Sequence, residues 1–550
     1  MKNWTEHFCK IFWCIALSCL LTNFTQAQQK LMTVAESSNY TATSRYADVM
    51  EFIRGLQSQS SLIRVETLCT STEGRDVPLI IIGNPVPSSP LALKTDKKLV
   101  VYFQANIHAG EVEGKEASLM LARDILLNSK LRYLDKLVIL IAPIFNADGN
   151  EKISPDNRPD QAGPEKGVGV RHNGQNLDLN RDSMKLESPE LQGLVQNVLM
   201  RWDPALLVDC HTTDGSYHEE PVTFCWGLNP DGDASIIKYQ REKMVPDIIK
   251  TLAEKYNTLS IPYGDFRDFQ NPEKGWEAYS HQPRFMTNYI TLRNRMAILN
   301  ENYNHADFKT RVLGCYNLLF AILDYCHGHS EEIFYLVAEA DQKTIQKGLS
   351  PTSQDAFGVE FELKPLPEKV TVQGWEMEVI PREGTWPEIK KTDKKRTLIM
   401  PYFADYLPKR SVPFPYAYLL PGADLEVIKK LLQHGLILEK LTKTATLEVE
   451  SFPLKEIKAS ERLFQGHRPN EVKGEYSVEQ REFPAETIVV MTAQPLGNLA
   501  AYLLEPESDD GLLVWNFFDR YLVPQWGREL GIYPVYRLLK SMNLAKEILR

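Results

Sequence analysis

Two short apolar runs constrain this chain more than anything else in it. Residues 98–107 (KLVVYFQANI) and 136–144 (KLVILIAPI) are rich in β-branched and aromatic side chains and carry no turn residue except Pro143. Runs of this length and kind read as strands buried on both faces. Between them Ala117, Met120, Leu121 and Ile125 recur at helical spacing. Residues 205–209 (ALLVD) and 296–299 (MAIL) are further short strands, and 307–325 reads as a closing helix. Strands alternating with helices from about 98 to 340 predict an α/β layer fold, with a largely buried sheet flanked by helices.

The chain changes character on either side of this region. Lys, Gln, Ser, Thr and Pro cluster across 342–358 and mark a boundary. Beyond it, 358–363, 370–380 and 396–400 read as strands. Residues 423–434 (ADLEVIKKLLQH) read as an amphipathic helix stopped by Gly435. No catalytic motif stands in 350–550, so this part is expected to be a smaller α+β accessory or lid domain, adding solubility rather than chemistry. At the other end, Lys2 and Lys10 flank the start of an uncharged run over 11–21, and Thr25 and Ala27 supply small residues before a cut. That is the pattern of a secretory signal peptide over 1–27. Its apolar run is shorter than the roughly 20 residues a membrane span needs. The expectation is an exported protein, periplasmic or extracellular, without stable membrane insertion after cleavage, and with its main domain over 28–345. Cys69, Cys210, Cys225, Cys315 and Cys326 remain after the cut and read mostly as buried small hydrophobes. With 62 basic against 72 acidic side chains and no long Lys/Arg run, the chain does not look like a nucleic-acid binder.

Four elements carry chemistry. His108-Ala109-Gly110-Glu111 falls where a buried strand gives way to a helix, the end of an α/β sheet at which ligands gather. One tight turn there aims an imidazole and a carboxylate at a common point, and zinc accepts both. His211, in Asp209-Cys210-His211-Thr212, ends another buried strand. Two ligands close in sequence plus one distant histidine leave a fourth position open, as catalytic zinc requires. Asp209 shares a strand face with His211 and is placed to support it. The polar stretch from Arg171 to Arg181 (RHNGQNLDLNR) holds two arginines and an asparagine suited to gripping a carboxylate or an oxyanion. Glu301 ends an apolar strand, where a carboxylate without a task or a partner is expensive; near a metal-activated water it is a general base.

Together these residues resemble the zinc carboxypeptidase family, the carboxypeptidase A-like metallopeptidases, over roughly 46–326. His108 and Glu111 match its H-x-x-E ligands and His211 its third ligand. Asp178-Leu179-Asn180-Arg181 matches its D-x-N-R signature, and Arg171 stands seven residues earlier, as the carbonyl-polarising arginine does in the regulatory branch. Asn146-Ala147-Asp148-Gly149 resembles its N-P-D-G loop, and 287–295 looks more like a bacterial, exported branch than like the digestive enzymes. The resemblance implies a mixed central sheet and one Zn2+ per chain. It implies Glu301 and Arg171 as catalytic residues, Asn180 and Arg181 as the grip on the substrate's terminal carboxylate, and Asp178 as support for His108. The substrates implied are peptide or protein C-termini. Arg181 is followed by Asp182-Ser183 where many members have Asn-Phe, and Tyr279 and Tyr289 are both candidates for the family's mobile tyrosine. Two alternatives stay open: an amidase or deacylase acting on cell-wall peptides or acylated amino acids with the same ligands, and a noncatalytic peptide-binding protein.

Overall fold

Every residue of Leu99–Ala105 (β3) and of Leu137–Ala142 (β4) is buried, as expected of strands with no polar face. The computed structural model describes residues 31–549 apart from 94–96, 129–130, 214, 382–387, 423 and 523–529. The proposed signal peptide, 1–27, lies outside the described residues. Six further strands complete the first sheet: Ile63–Thr70 (β1), Asp76–Ile82 (β2), Leu206–Thr213 (β5), Val222–Trp226 (β6), Ser260–Pro262 (β7) and Met296–Tyr303 (β10). Asp265–Phe266 (β8) and Trp276–Glu277 (β9) belong to a second sheet. The first sheet runs β1-β2-β4-β3-β5-β10-β6-β7. Its centre, β4-β3-β5-β10, is parallel, while β1, β2 and β6 meet their inner neighbours antiparallel. It is therefore a mixed sheet, flanked by helices. Helix α1 (Glu113–Leu127) follows β3, and α2 (Phe308–Gly328) follows β10 and packs against α1.

The close approach of α1 to the sheet has a specific cause. A Cβ on Gly114 would lie 2.5 Å from the Cβ of Cys210, so only glycine lets the helix start directly against β5. Nearly all of α1 is buried, including charged groups: Glu116 accepts from Thr43 Oγ1 and from the Ser44 amide and hydroxyl. That satisfies a carboxylate that burial would otherwise penalise.

Helix α3 (Ser330–Leu349) runs into the polar cluster at 342–358, because Ile333, Val337, Ala340 and Thr344 keep one face buried at helical spacing, and the chain is irregular only from 350 to 355. The strands read at 358–363, 370–380 and 396–400 are pieces of one long antiparallel ribbon, Ala356–Ile380 (β11) and Glu388–Pro413 (β12). β12 pairs in parallel with β9, which joins the ribbon to the first half of the chain. The remaining strands form a third sheet in which Ala445–Ala459, Ile532–Leu538, Ala417–Leu420 and Ile488–Met491 are successive neighbours. The expected amphipathic helix is Leu425–Gln433 (α4), and residues Thr33–Arg550 form one compact unit. Among the described residues no helix is long and apolar enough to cross a membrane. The five described cysteines are all unpaired.

Candidate active site

Both ligand-bearing segments leave the sheet at its carboxyl edge. After β3, Asn106 adopts φ 66°, a left-handed conformation that asparagine tolerates, and turns the chain. Its amide then donates to the carbonyls of Ala109 and Glu111, so one side chain both permits and braces the turn that presents His108 and Glu111. Asn146 reinforces it, donating to the carbonyls of Ile107 and Arg171. The loop over 146–149 is thus a scaffold shared by the first ligand pair and Arg171. On β5, Asp209 and His211 alternate onto one face, and Glu301 of β10 is the parallel register partner of His211.

Three side chains converge. His211 Nδ1 lies 3.2 Å from His108 Nδ1 and 2.9 Å from Glu111 Oε2, and His108 Nδ1 lies 3.1 Å from Glu111 Oε1. A tetrahedral cation with bonds of about 2.1 Å separates its ligand atoms by roughly 3.4 Å, close to the spacing of the two nitrogens, and one ligand atom from each of the three residues lies within 4.8 Å of the others. The outward nitrogens fix the tautomers. His108 Nε2 is 3.0 Å from Asp178 Oδ1, and His211 Nε2 is 2.8 Å from Asp209 Oδ2. Protons held there leave both Nδ1 lone pairs facing inward, the arrangement typical of metal-bound histidines. Asp209 is itself oriented by Gln104, which accepts from Tyr102. Two imidazoles and a carboxylate, all buried and pointing at one spot, are a donor set for zinc.

Asp178 is the hub of the next layer. Its Oδ1 also accepts from the Asn180 amide, and its Oδ2 accepts from Arg171 Nε at 2.9 Å. Burial opposes its charge, but His108 and then Arg171 outweigh that and hold the carboxyl well below the usual range. The Arg171 guanidinium remains partly exposed to the cleft. Asn180 Oδ1 accepts from the Met286 amide, and the Arg181 guanidinium sits 4.2 Å from the centre of the Phe285 ring. Burial, opposed by Asp178 and joined by Arg171 and Arg284, lowers the Arg181 pKa. For Glu301 burial is the largest influence and pushes the carboxyl up to about 8; His211 opposes it and Glu111 adds to it.

His108, Glu111, Arg171, Asn180, Arg181 and Glu301 all line one cleft of about 380 Å³. His211 and Asp178 stand directly behind it. Of the two tyrosine candidates, Tyr279 lines the cleft, its hydroxyl 2.8 Å from Thr287 Oγ1. Tyr289 is fully buried elsewhere, against His434 and Arg293. Sequence reasoning missed Arg158, which donates to Glu111 Oε1 at 2.9 Å and to the Thr212 carbonyl, tying the two ligand segments together. It lies in an irregular loop with no flanking pattern, so nothing in the sequence marks it. Tyr263 and Asp265, also on the cleft wall, were missed too: Tyr263 is in a loop and Asp265 in the two-residue strand β8, too short to leave a pattern.

A family model for zinc carboxypeptidases matches residues 49–192. Carboxypeptidase 2 of Trichophyton equinum is 21% identical over 495 residues, covering 85% of this chain and 81% of that protein. Carboxypeptidase 2 of Trichophyton rubrum is 21% identical over 503 residues, covering 86% and 84%. These matches support the zinc carboxypeptidase family. Carboxypeptidase activity, and with it hydrolase chemistry on peptides, is supported at that level, and zinc is the cofactor the family implies. A crystal structure of a metallo-carboxypeptidase from Burkholderia cenocepacia covers 52% of this chain and 69% of its own, at 17% identity and a TM-score of 0.37. The curated relatives are fungal, so the bacterial branch expected from 287–295 receives no support from them. An alignment of 495 residues is also too long to end at residue 345, so it reaches into the C-terminal part.

Proposed function

We propose that this chain is a zinc-dependent carboxypeptidase that removes one residue at a time from peptide or protein C-termini. The observation that carries the reading is that Asn180, Arg181 and Arg171 share one cleft with His108, Glu111 and Glu301, while His211 meets Glu111 and His108 directly behind it. His108, Glu111 and His211 would hold the zinc, which supplies Lewis acidity and lowers the pKa of water. Glu301 takes the proton of the attacking water and passes it to the leaving amine. Arg171 stabilises the developing oxyanion while Asp178 keeps its guanidinium in place. Asn180 and Arg181 hold the terminal carboxylate, so the distance from that anchor to the reacting centre selects the bond that is cut. Residues 28–345 are proposed as the catalytic part, and export to the periplasm or the extracellular space is proposed on the leader-like pattern of 1–27.

The test is a pair of peptides that differ only at the C-terminus, free acid against amide. Losing one partner of a buried, charge-assisted pair costs about 3–5 kcal/mol, roughly a hundredfold to several thousandfold in kcat/KM. The acid should be cleaved faster by that factor. Arg181→Ala should remove most of the difference by slowing only the acid, whereas Arg171→Ala should slow both. Equal rates on acid and amide with the unmutated enzyme would sink the exopeptidase reading and favour an amidase on the same ligands.

A further inference from the structure

The segment that carries the substrate grip is held from outside the first 350 residues. Asp182, which stands where the family motif usually continues with asparagine, accepts from the amides of Glu187 and Ser188 and from the Ser188 hydroxyl, and knots 182–188 into a compact loop. The C-terminal part then clasps that knot. Lys430 donates to the Leu186 carbonyl at 2.9 Å, and His434 Nε2 is 3.1 Å from the Met184 carbonyl. His467 Nε2 meets Glu187 Oε1 at 2.9 Å, and Lys185 Nζ lies 4.6 Å from the centre of the Trp515 ring. Burial pushes His434 down to about 3, so it is a neutral strut that donates from Nε2 and accepts at Nδ1 from the Tyr289 hydroxyl.

One contact goes further and touches the hub itself. Gln465 Oε1 accepts from the Asp178 amide at 2.8 Å. Gln465 and Gly466 are the two central residues of a hairpin turn closed by reciprocal bonds between Phe464 and His467, at 2.9 and 3.0 Å. Their φ values are 52° and 80°. Such turns favour Asn-Gly, and a glutamine at positive φ is strained. Strain of this kind concentrates where a side chain is needed in a particular place. Here that place is the Asp178 backbone, whose side chain positions His108, Arg171 and the Asn180 amide.

We propose that Gln465 is a positioning residue for the reaction, fixing Asp178 and through it both the first histidine ligand and the Asn180–Arg181 grip. The C-terminal part is then a structural component of the active site. The grip half of this inference rests on the exopeptidase reading; the metal half does not. Gln465→Asn in the full chain tests it. Asparagine is at home at positive φ, so the turn is retained, but its side chain is one methylene too short to reach the Asp178 amide. Zinc affinity, measured by chelator competition, should fall about tenfold or more, the usual effect of loosening a partner behind a metal ligand. Thermal stability should hold, and kcat/KM for a free-acid peptide should fall, with KM raised through the loosened grip and kcat lowered through Arg171. Gln465→Glu, which keeps an acceptor at the same reach, should stay close to the unmutated protein in zinc affinity. An Asn variant with undiminished zinc affinity overturns the assignment. If the unmutated enzyme treats acid and amide alike, that counts against the exopeptidase reading alone, and zinc affinity still decides the role of Gln465.

Discussion

Glu301 and His211 are register partners on adjacent parallel strands, yet only His211 belongs to the convergent trio. That separates the proposed base from the proposed ligand and makes the two substitutions diagnostic. Glu301→Gln is expected to lose roughly 10²–10⁴ in kcat, the range general acid–base catalysis contributes, while metal analysis still finds one zinc per chain. His108→Ala and His211→Ala are expected to lose the metal, since a three-ligand site cannot spare one. Loss of zinc in the Glu301 variant would show the roles to be confused. At this scale much of the site was legible. The ligands and Glu301 follow buried strand residues, and a hydrophobic run ending in a His or Glu is visible in one dimension. Asp209 was legible too, because period-two alternation puts it on the face of His211. Arg158 and Gln465 were not: each reaches the site from an irregular loop or a turn, and only the folded path brings them near.

Among the elements, the strands carrying His211 and Glu301 were read too short. β5 runs to Thr213 and β10 to Tyr303, past the polar residues at which the apolar signal stops. Backbone pairing with neighbours sustains a strand there, and no side-chain pattern reports that. The helix Pro189–Leu194 shows a second kind of conflict. Glu190 lies in its first turn, where the helix dipole favours an anion. Yet the side chain is fully buried with the Asn173 amide at 3.1 Å, and burial pushes its carboxyl up to about 7, with Asp148 and Asp182 adding. The folded pKa is raised above the unfolded one, so the contribution to stability is fully present below about pH 4.5 and lost as pH rises through 7. Glu190→Gln, which cannot ionise, is expected to melt at a higher temperature than the unmutated protein at pH 8 and with no advantage near pH 4. Thermal melts across that range check it; a difference between the two proteins that does not grow with pH would mean that Glu190 is not the group responsible.

At the scale of the whole molecule, the division into a catalytic part and a tail is where one-dimensional reading had least to work with. All the sequence motifs precede residue 302, so a C-terminal half without motifs reads as an accessory. Contacts between distant segments carry the opposite message. Asp510 accepts from the Arg284 amide at 2.6 Å and pairs with its guanidinium, one residue from the Phe285 ring beneath Arg181. Asn294 donates to the Pro495 carbonyl, and β12 completes a sheet with β9. Removing 350–550 would therefore expose Met184, Leu186, Tyr289 and Trp276, all fully buried in the whole chain. It would also leave the Asp178 amide and the Met184 and Leu186 carbonyls without their partners. Uncovered apolar area costs about 25 cal/mol per Å², and each buried polar group left unpaired costs about 1–3 kcal/mol. The unpaired groups all fall on 178–186, the segment proposed to grip the substrate. The 28–345 fragment is thus expected to be poorly soluble, and any soluble fraction to show weaker zinc binding and a smaller acid-over-amide preference than the full chain. Adding 350–550 as a separate polypeptide should restore part of both if it docks. A soluble 28–345 fragment with the full chain's zinc affinity and its acid preference would show that the clasp on 182–187 has no role in building the site.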